Sequence, residues 1–164
     1  MLARLIRHLF APPASRTFPE AALQRIAAAT AEHEARHRGE VCFAVEAALP
    51  WREVLAGIDA RARAEAAFAR LRVWDTAANN GVLVYLLLAD RRIEIVADRG
   101  LAGRVSEAQW RGVCELMEAR LRAGDAEGAA IAGIAAVSDL LARHFPRAPG
   151  DADENELPDR PHLS

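Results

Sequence analysis

The sequence predicts an α/β domain: a small mixed β-sheet containing a right-handed βαβ unit, with helices packed on its faces. Three observations predict it. Val41–Val45 and the uncharged run 82–89 (VLVYLLLA) have the length and β-branched content of buried strands. Between them lies a helical pattern of about twenty residues, enough to bridge two parallel strands by a right-handed crossover. After the Asp90-Arg91 turn, Ile93, Ile95 and Ala97 alternate with Glu94, Val96 and Asp98. That is the pattern of a strand returning antiparallel with one face less buried.

The elements follow in order. Residues 1–10 (MLARLIRHLF) form a short amphipathic helix, with Leu2, Leu5, Ile6, Leu9 and Phe10 on one face and Arg4, Arg7 and His8 on the other. Arg7 and His8 interrupt the apolar stretch that a signal peptide needs. No apolar run reaches the roughly 18 residues of a membrane span, so at most residues 1–10 make peripheral membrane contact. A solvent-exposed apolar face there would favour docking. Burial against the domain would remove that idea.

Residues 11–16, with Pro12-Pro13, read as a stiff linker, and 17–146 as the domain. A helix runs from Glu20 to His37, started by Thr17 or Ser15 and ended by Gly39. Arg52 to Arg72 reads as one long helix with Val54, Leu55, Ile58, Ala62, Ala66 and Leu71 inward. Ser106 caps a helix to Arg122, and after Gly124 Asp125 caps a last one to His144. The tail 147–164, with five acids against two arginines and no apolar periodicity, is expected to be disordered.

Composition bounds the chemistry. With 164 residues and 52% hydrophobic content the chain can bury a core. All 21 basic residues are Arg, against 23 acids, a net charge of -2 that gives no sign of a nucleic-acid surface. Without Lys there is no lysine phosphate loop, and neither a nucleophile elbow nor a His-Glu-x-x-His pair occurs. Cys42 and Cys114 are expected as reduced thiols of a cytoplasmic protein. His33 and His37 stand at i, i+4 without a third ligand, which favours a solvated helix face.

The topology places particular polar residues together. Parallel strands start on the same sheet edge, and an antiparallel third strand ends there. Glu40, the loop from Asp75 through Asn79 and Asn80, and Asp98-Arg99 should therefore meet, while Glu46 and Asp90-Arg91 gather at the opposite edge. Glu40, Asp75 and Asp98 are hard oxygen ligands, suited to Ca²⁺ or Mg²⁺ rather than Zn²⁺. Asn79, Asn80 and Arg99 would be binding groups beside them. Each also has a plainer reading: Asn79-Asn80-Gly81 as a turn, Asp75 as a turn cap, Asp98-Arg99 as a surface pair, Glu40 as a solvated acid.

Trp74, Asn79-Asn80-Gly81-Val82-Leu83, the apolar strand, Asp90-Arg91, and Ile93-Glu94-Ile95 closing on Gly100-Leu101 resemble the core of the TPM domain. Arg122-Ala123-Gly124-Asp125 with Gly128 resembles that family's Gly-Asp segment between its last helices. The resemblance spans about Ala21 to Phe145 and is nearest to short bacterial TPM proteins that have no membrane span. It implies an α/β sandwich. It also implies partners, a membrane-anchored TPM protein or a LemA-type helical protein, and hence a place in the cytoplasm or peripherally at the inner membrane. Members of the family have been proposed as acid phosphatases and as divalent-cation binders. Two departures stand out: the usual Gly-Tyr-Gly reads Asp98-Arg99-Gly100, and the acidic opening before the first helix reads Ser15-Arg16-Thr17-Phe18.

Three functions are therefore expected to compete. The first is a non-enzymatic accessory domain that binds a partner protein, in keeping with the amphipathic N-terminus, the acidic tail and the absence of a nucleophile–base pair. The second is a divalent-cation-binding domain. The third is a metal-dependent phosphomonoester hydrolase, in which a cation and Arg99 neutralise phosphate while a carboxylate positions water.

Overall fold

A computed structural model describes residues 1–148, 150 and 155–164. Helix α1 (Leu2–Leu9) and the turn-long α2 (Ala14–Thr17) precede α3 (Glu20–Glu34) and strand β1 (Glu40–Glu46). Helices α4 (Trp51–Leu55) and α5 (Ala60–Arg70) lead to β2 (Gly81–Leu87) and β3 (Arg92–Ala97). Helices α6 (Glu107–Arg122) and α7 (Ala126–His144) follow, and the short strand β4 (His162–Leu163) ends the chain. The sheet order is β3-β2-β1-β4. β1 pairs parallel with β2, Glu40 opposite Gly81, and β3 pairs antiparallel with β2, Val82 opposite Ala97. The mixed α/β fold is as the apolar runs predict.

Every residue of β1 and β2 is buried, because helices cover both sheet faces. Val41, Phe43, Val45, Val82, Val84 and Leu86 point to one layer with Ile26 of α3, Met117 of α6 and Ile134 and Val137 of α7. Cys42, Ala44, Leu83, Tyr85 and Leu87 point to the other with Val54 of α4 and Ala64 and Ala67 of α5. Alternation along each strand thus builds two cores from one sheet. Burial pushes the Cys42 thiol up to about 12 and that of Cys114 to about 11, so both are inert at neutral pH.

Four expectations need correction. The crossover is two helices, not one: Gly57 takes a left-handed conformation (φ +77°) and Asp59 recaps α5 by accepting from Ala62 N. The phase of α5 shifts with the break, so Ala60, Ala64 and Ala67 face inward while Ala62 and Ala66 are exposed. The linker is partly helical, since α2 takes up residues 14–17 and buries Ala14. Ser15 and Thr17 lie within it, and Pro19 stands at the start of α3.

The other two corrections concern His37 and the tail. His37 is not on a solvated face. The helix ends at Glu34, His37 is fully buried, and its Nδ1 lies 3.0 Å from Gly39 O. Burial, despite that backbone contact, pulls its pKa down to about 4. Residues 155–164 of the tail are docked: β4 extends the sheet beside β1, and Leu157 enters the core. The expectation for residues 149 and 151–154 lies outside the described residues. In α6, Ser106 and Gln109 form a reciprocal capping box, and Asp125 Oδ1 accepts from Gly128 N at the start of α7, both as the sequence indicates.

Candidate functional site

The sheet edge where β1 and β2 begin and β3 ends does gather the predicted segments. Asn79 sits in the left-handed region (φ +51°), which Asn tolerates, and so turns the chain into β2. Its carbonyl accepts from Gly100 N at 2.8 Å, an approach so close that a Cβ on Gly100 would lie 2.3 Å from Asn79 O. Gly81 is equally constrained, its missing Cβ falling 2.0 Å from Val73 O. These contacts bring Arg99 over the loop, where its Nε donates to Asn79 Oδ1 at 2.9 Å. Asp98 Oδ1 accepts from Arg99 N at 2.7 Å, and the buried Asp98 Oδ2 has no partner.

The remaining candidates are committed elsewhere. Asn80 is fully buried, donating from Nδ2 to Arg38 O at 2.7 Å while its own N–H meets Thr76 Oγ1 at 3.0 Å. Asp75 is exposed and pairs with Arg72 three residues earlier. Glu40 turns to the tail and accepts from Leu157 N at 3.2 Å. Burial raises the Glu40 carboxyl to about 7 against the backbone donors of Glu156 and Leu157, which lower it. Among the described residues, no group of three or more His, Cys, Asp or Glu side chains is placed to hold a metal ion. Glu40, Asp75 and Asp98 are thus engaged with separate partners rather than grouped as a ligand triad, and the buried oxygens left without a partner at this edge are Asp98 Oδ2 and Asn80 Oδ1.

Glu34 is a buried acid that sequence reading missed. It accepts from Val41 N at 2.8 Å and shares a hydrogen bond with Asp159 of the tail. Burial, more than the neighbouring Glu40 and Asp159 charges, lifts its carboxyl to about 9, so it is protonated at neutral pH. Its position, the fourth residue after Thr30 on the inward stripe of α3, was a readable signal for burial.

The stronger ionic constructions stand at the opposite edge. Glu46 closes β1 and accepts from Arg63 Nη2 at 2.6 Å, Arg63 Nε at 2.8 Å and Tyr85 OH at 2.6 Å. Burial acts upward on its carboxyl, yet these donors outweigh it and hold Glu46 below its ordinary value. Asp90, in the β2–β3 turn, receives α1. Arg4 Nη2 lies 2.7 Å from Asp90 Oδ2 and 2.7 Å from Ile58 O. His8 Nδ1 accepts from Leu49 N at 2.9 Å, which leaves the ring proton on Nε2, 3.1 Å from Asp90 Oδ1.

α1 thus docks mainly through its polar side, with Leu5 of the apolar face packed on the second core. His8 is buried, whereas Leu2 and Phe10 are 70% and 80% exposed. Of the nine large apolar residues exposed among the described residues, five lie on α1 and its ends (Met1, Leu2, Ile6, Leu9, Phe10) and two on α4 (Trp51, Leu55). α1 and α4 pack against each other. Cavities of about 780 and 490 Å³ flank the Asp90 turn, the larger floored by Leu86, Leu88 and Leu121 and rimmed by Arg91, Arg92 and Arg122.

Comparison with known proteins now fits this geometry. The model of the TPM domain family matches residues 14–140. The chain belongs to the TPM domain family. The TPM domain here is similar in structure to the BA42 protein of the psychrophilic bacterium Bizionia argentinensis, with a TM-score of 0.75 and 25% identity. That likeness covers 87% of this chain and 92% of the other. A comparison with curated protein sequences gives no match. No helix among the described residues of this TPM protein is long and apolar enough to cross a membrane.

Proposed function

We propose that this TPM domain is a non-catalytic accessory module that docks at a membrane complex, with the α1–α4 apolar face as its docking surface. One observation carries the reading: α1 is held to the domain by Arg4 and His8 on its polar side and by Leu5, which packs on the core, so that Leu2, Ile6, Leu9 and Phe10 are left facing solvent. An amphipathic helix whose only task was to complete the core would present the opposite face. Clustered exposed apolar side chains of this kind mark interaction surfaces. Within such a complex, the partners suggested by the family likeness are a membrane-anchored TPM protein or a LemA-type helical protein. The test is sedimentation of the chain with inner membranes of cells that produce it. The native chain should co-sediment, and Ile6→Glu/Leu9→Glu should stay in the supernatant. Equal partition of the two would overturn the reading.

A second reading is favoured by the unpartnered, buried Oδ2 of Asp98. It is a divalent-cation site using Asp98 with Asn79 and its neighbours, on which phosphomonoester hydrolysis would depend. Thermal unfolding with EDTA, then with Ca²⁺ or Mg²⁺, tests it. A cation held only by the native state must raise the midpoint, and Asp98→Asn should abolish the rise. An unchanged midpoint with every ion removes this reading and the hydrolase with it.

A further inference from the structure

We infer that the α1–α4 face binds the lipid bilayer itself, lying in the headgroup region of an anionic leaflet, rather than a groove on another protein. The inference rests on the docking role proposed above and names what the surface touches. Three features of the chain favour lipid. The first is chemistry: the face presents Met1, Leu2, Ile6, Leu9 and Phe10 with Trp51 and Leu55 beside them. Long aliphatic side chains with aromatic residues at the rim match the acyl–headgroup boundary, where an indole sits with its ring apolar and its N–H wet.

The second feature is charge. Residues 1–19 contain Arg4, Arg7 and Arg16 and no acid, in a chain whose net charge is -2. Arg7 keeps 54% of its side chain exposed on α1. Arg52 lies with its guanidinium 5.2 Å from the Trp51 ring centroid on α4. Asp90 is held by Arg4, Glu53 of α4 lies 3.3 Å from Arg63, and Asp59 and Glu94 line the cavity on the clasped side of α1 rather than its outward face. What this side offers outward is apolar area bordered by Arg52 and by the half-exposed Arg7, which also reaches Asp90 at 3.4 Å, guanidinium groups that suit lipid phosphates.

The third feature is shape. The cavities near α1 are lined by Arg4, Arg7, Asp90 and other polar groups on its clasped side, and none of the cavities described takes in an apolar residue of the exposed face. Protein hot spots seat their anchors in recesses, and the recesses described lie on the clasped side. A bilayer needs none. The clasp through Asp90 adds pre-organisation, because α1 is already helical and its apolar side already outward before contact, so ordering cost on binding is small. An eight-residue helix alone would bind weakly; Trp51 and Leu55 extend the buried area.

The experiment uses the full chain with phosphatidylcholine vesicles and with phosphatidylcholine/phosphatidylglycerol vesicles, read by co-sedimentation and by Trp fluorescence, with Trp51→Phe isolating the Trp51 signal. The expected result is binding to the anionic vesicles with a blue shift that Trp51→Phe removes. Ile6→Glu/Leu9→Glu should lower binding at least tenfold, and Arg7→Gln/Arg52→Gln roughly fivefold per charge removed. All four positions are exposed, and circular dichroism and thermal unfolding confirm that each variant is folded. Absence of binding to anionic vesicles, or binding that the variants leave unchanged, overturns the inference. If native membranes still retain the chain while pure lipid does not, the docking role stands and its occupant is a protein. Loss from both fails the docking role itself. Concentration-dependent dimers in sedimentation that Ile6→Glu/Leu9→Glu abolishes, without vesicle binding, would assign the face to a second copy and also overturn the inference.

Discussion

Arg4 Nη2 and Asp90 Oδ2 lie 2.7 Å apart, joining a helix at one end of the chain to the turn between the second and third strands. Arg7 and His8 approach the same carboxylate at 3.4 and 3.1 Å. Two guanidinium groups and an imidazole on one side of α1 thus share a single largely buried anion, and this arrangement orients the helix.

Asp90→Asn should therefore release α1 before the domain unfolds. Loss of a charge-assisted pair of this kind costs about 1–3 kcal/mol. Burial acts upward on Asp90, but the proximity of Arg4 and His8 outweighs it and holds the carboxyl at about 2. A depressed carboxyl stabilises the folded state above its unfolded value of 3.8, and the contribution is lost as pH falls through about 2. Amide exchange over residues 2–9 should quicken in Asp90→Asn at neutral pH, and in the native chain only on strong acidification. Unchanged exchange in the variant would show that Asp90 does not hold the helix.

Glu34 titrates in the opposite sense. Its folded-state carboxyl, raised to about 9 by burial, stays protonated while the unfolded chain ionises near its ordinary 4.5. Its stabilisation is complete below that ordinary value, declines as pH rises, and is gone once pH passes through 9. Glu34→Gln keeps an oxygen for Val41 N and an amide for Asp159 but cannot ionise. The variant should match the native chain near pH 5 and exceed it by about 1–3 kcal/mol at pH 9 in urea unfolding. Parallel pH profiles for the two proteins would contradict the protonated assignment.

Glu46, Arg63 and Tyr85 should behave as one unit. Arg63→Ala strands a buried carboxylate and is expected to cost about 3–5 kcal/mol. Tyr85→Phe removes one donor to that carboxylate and should cost about 1–3 kcal/mol. A double-mutant cycle on these two positions should show a coupling well outside additivity. Additive losses would mean that Glu46 is not shared between them.

The docked tail makes a fourth prediction. Ser164 N donates to Val45 O at 2.9 Å and Ala47 N to Ser164 O at 2.8 Å, while Arg160 pairs with Glu20 at 2.7 Å. Deleting residues 155–164 uncovers the β1 edge and the Leu157 seat. Stability should fall by at least about 2 kcal/mol, and the free edge should promote self-association, seen by light scattering. A truncated chain as stable and monomeric as the native one would show that β4 contributes nothing to the sheet.

The first three strands, the parallel pairing of two of them and the gathering of segments at one sheet edge were legible because alternation and run length are local properties. The capping residues Ser106 and Asp125 were legible for the same reason: a cap acts within four residues of itself. The split between α4 and α5 was within reach through Gly57 and Asp59, yet Ala-rich flanks carry too little periodicity to set helix phase. The candidate site was legible as a neighbourhood but not as a ligand set. Topology could place Glu40, Asp75 and Asp98 near one edge, but not say that Asp75 turns to Arg72 and Glu40 to Leu157.

What the chain determined by itself is the α/β class and the pairing of its first three strands, since hydrophobic patterning selects which faces must be buried; β4 in the tail carries no such pattern. Only the tertiary structure decided how the polar groups pair. Ionic and hydrogen-bond partners such as Arg4 with Asp90, or Glu20 with Arg160, are separated by 86 and 140 residues. Their energies depend on final separation and on exclusion of water, neither of which exists until the two cores have closed. The outward face of α1 is the clearest case: its amphipathic pattern is written in residues 1–10, but which side meets the domain was settled by a carboxylate eighty residues away.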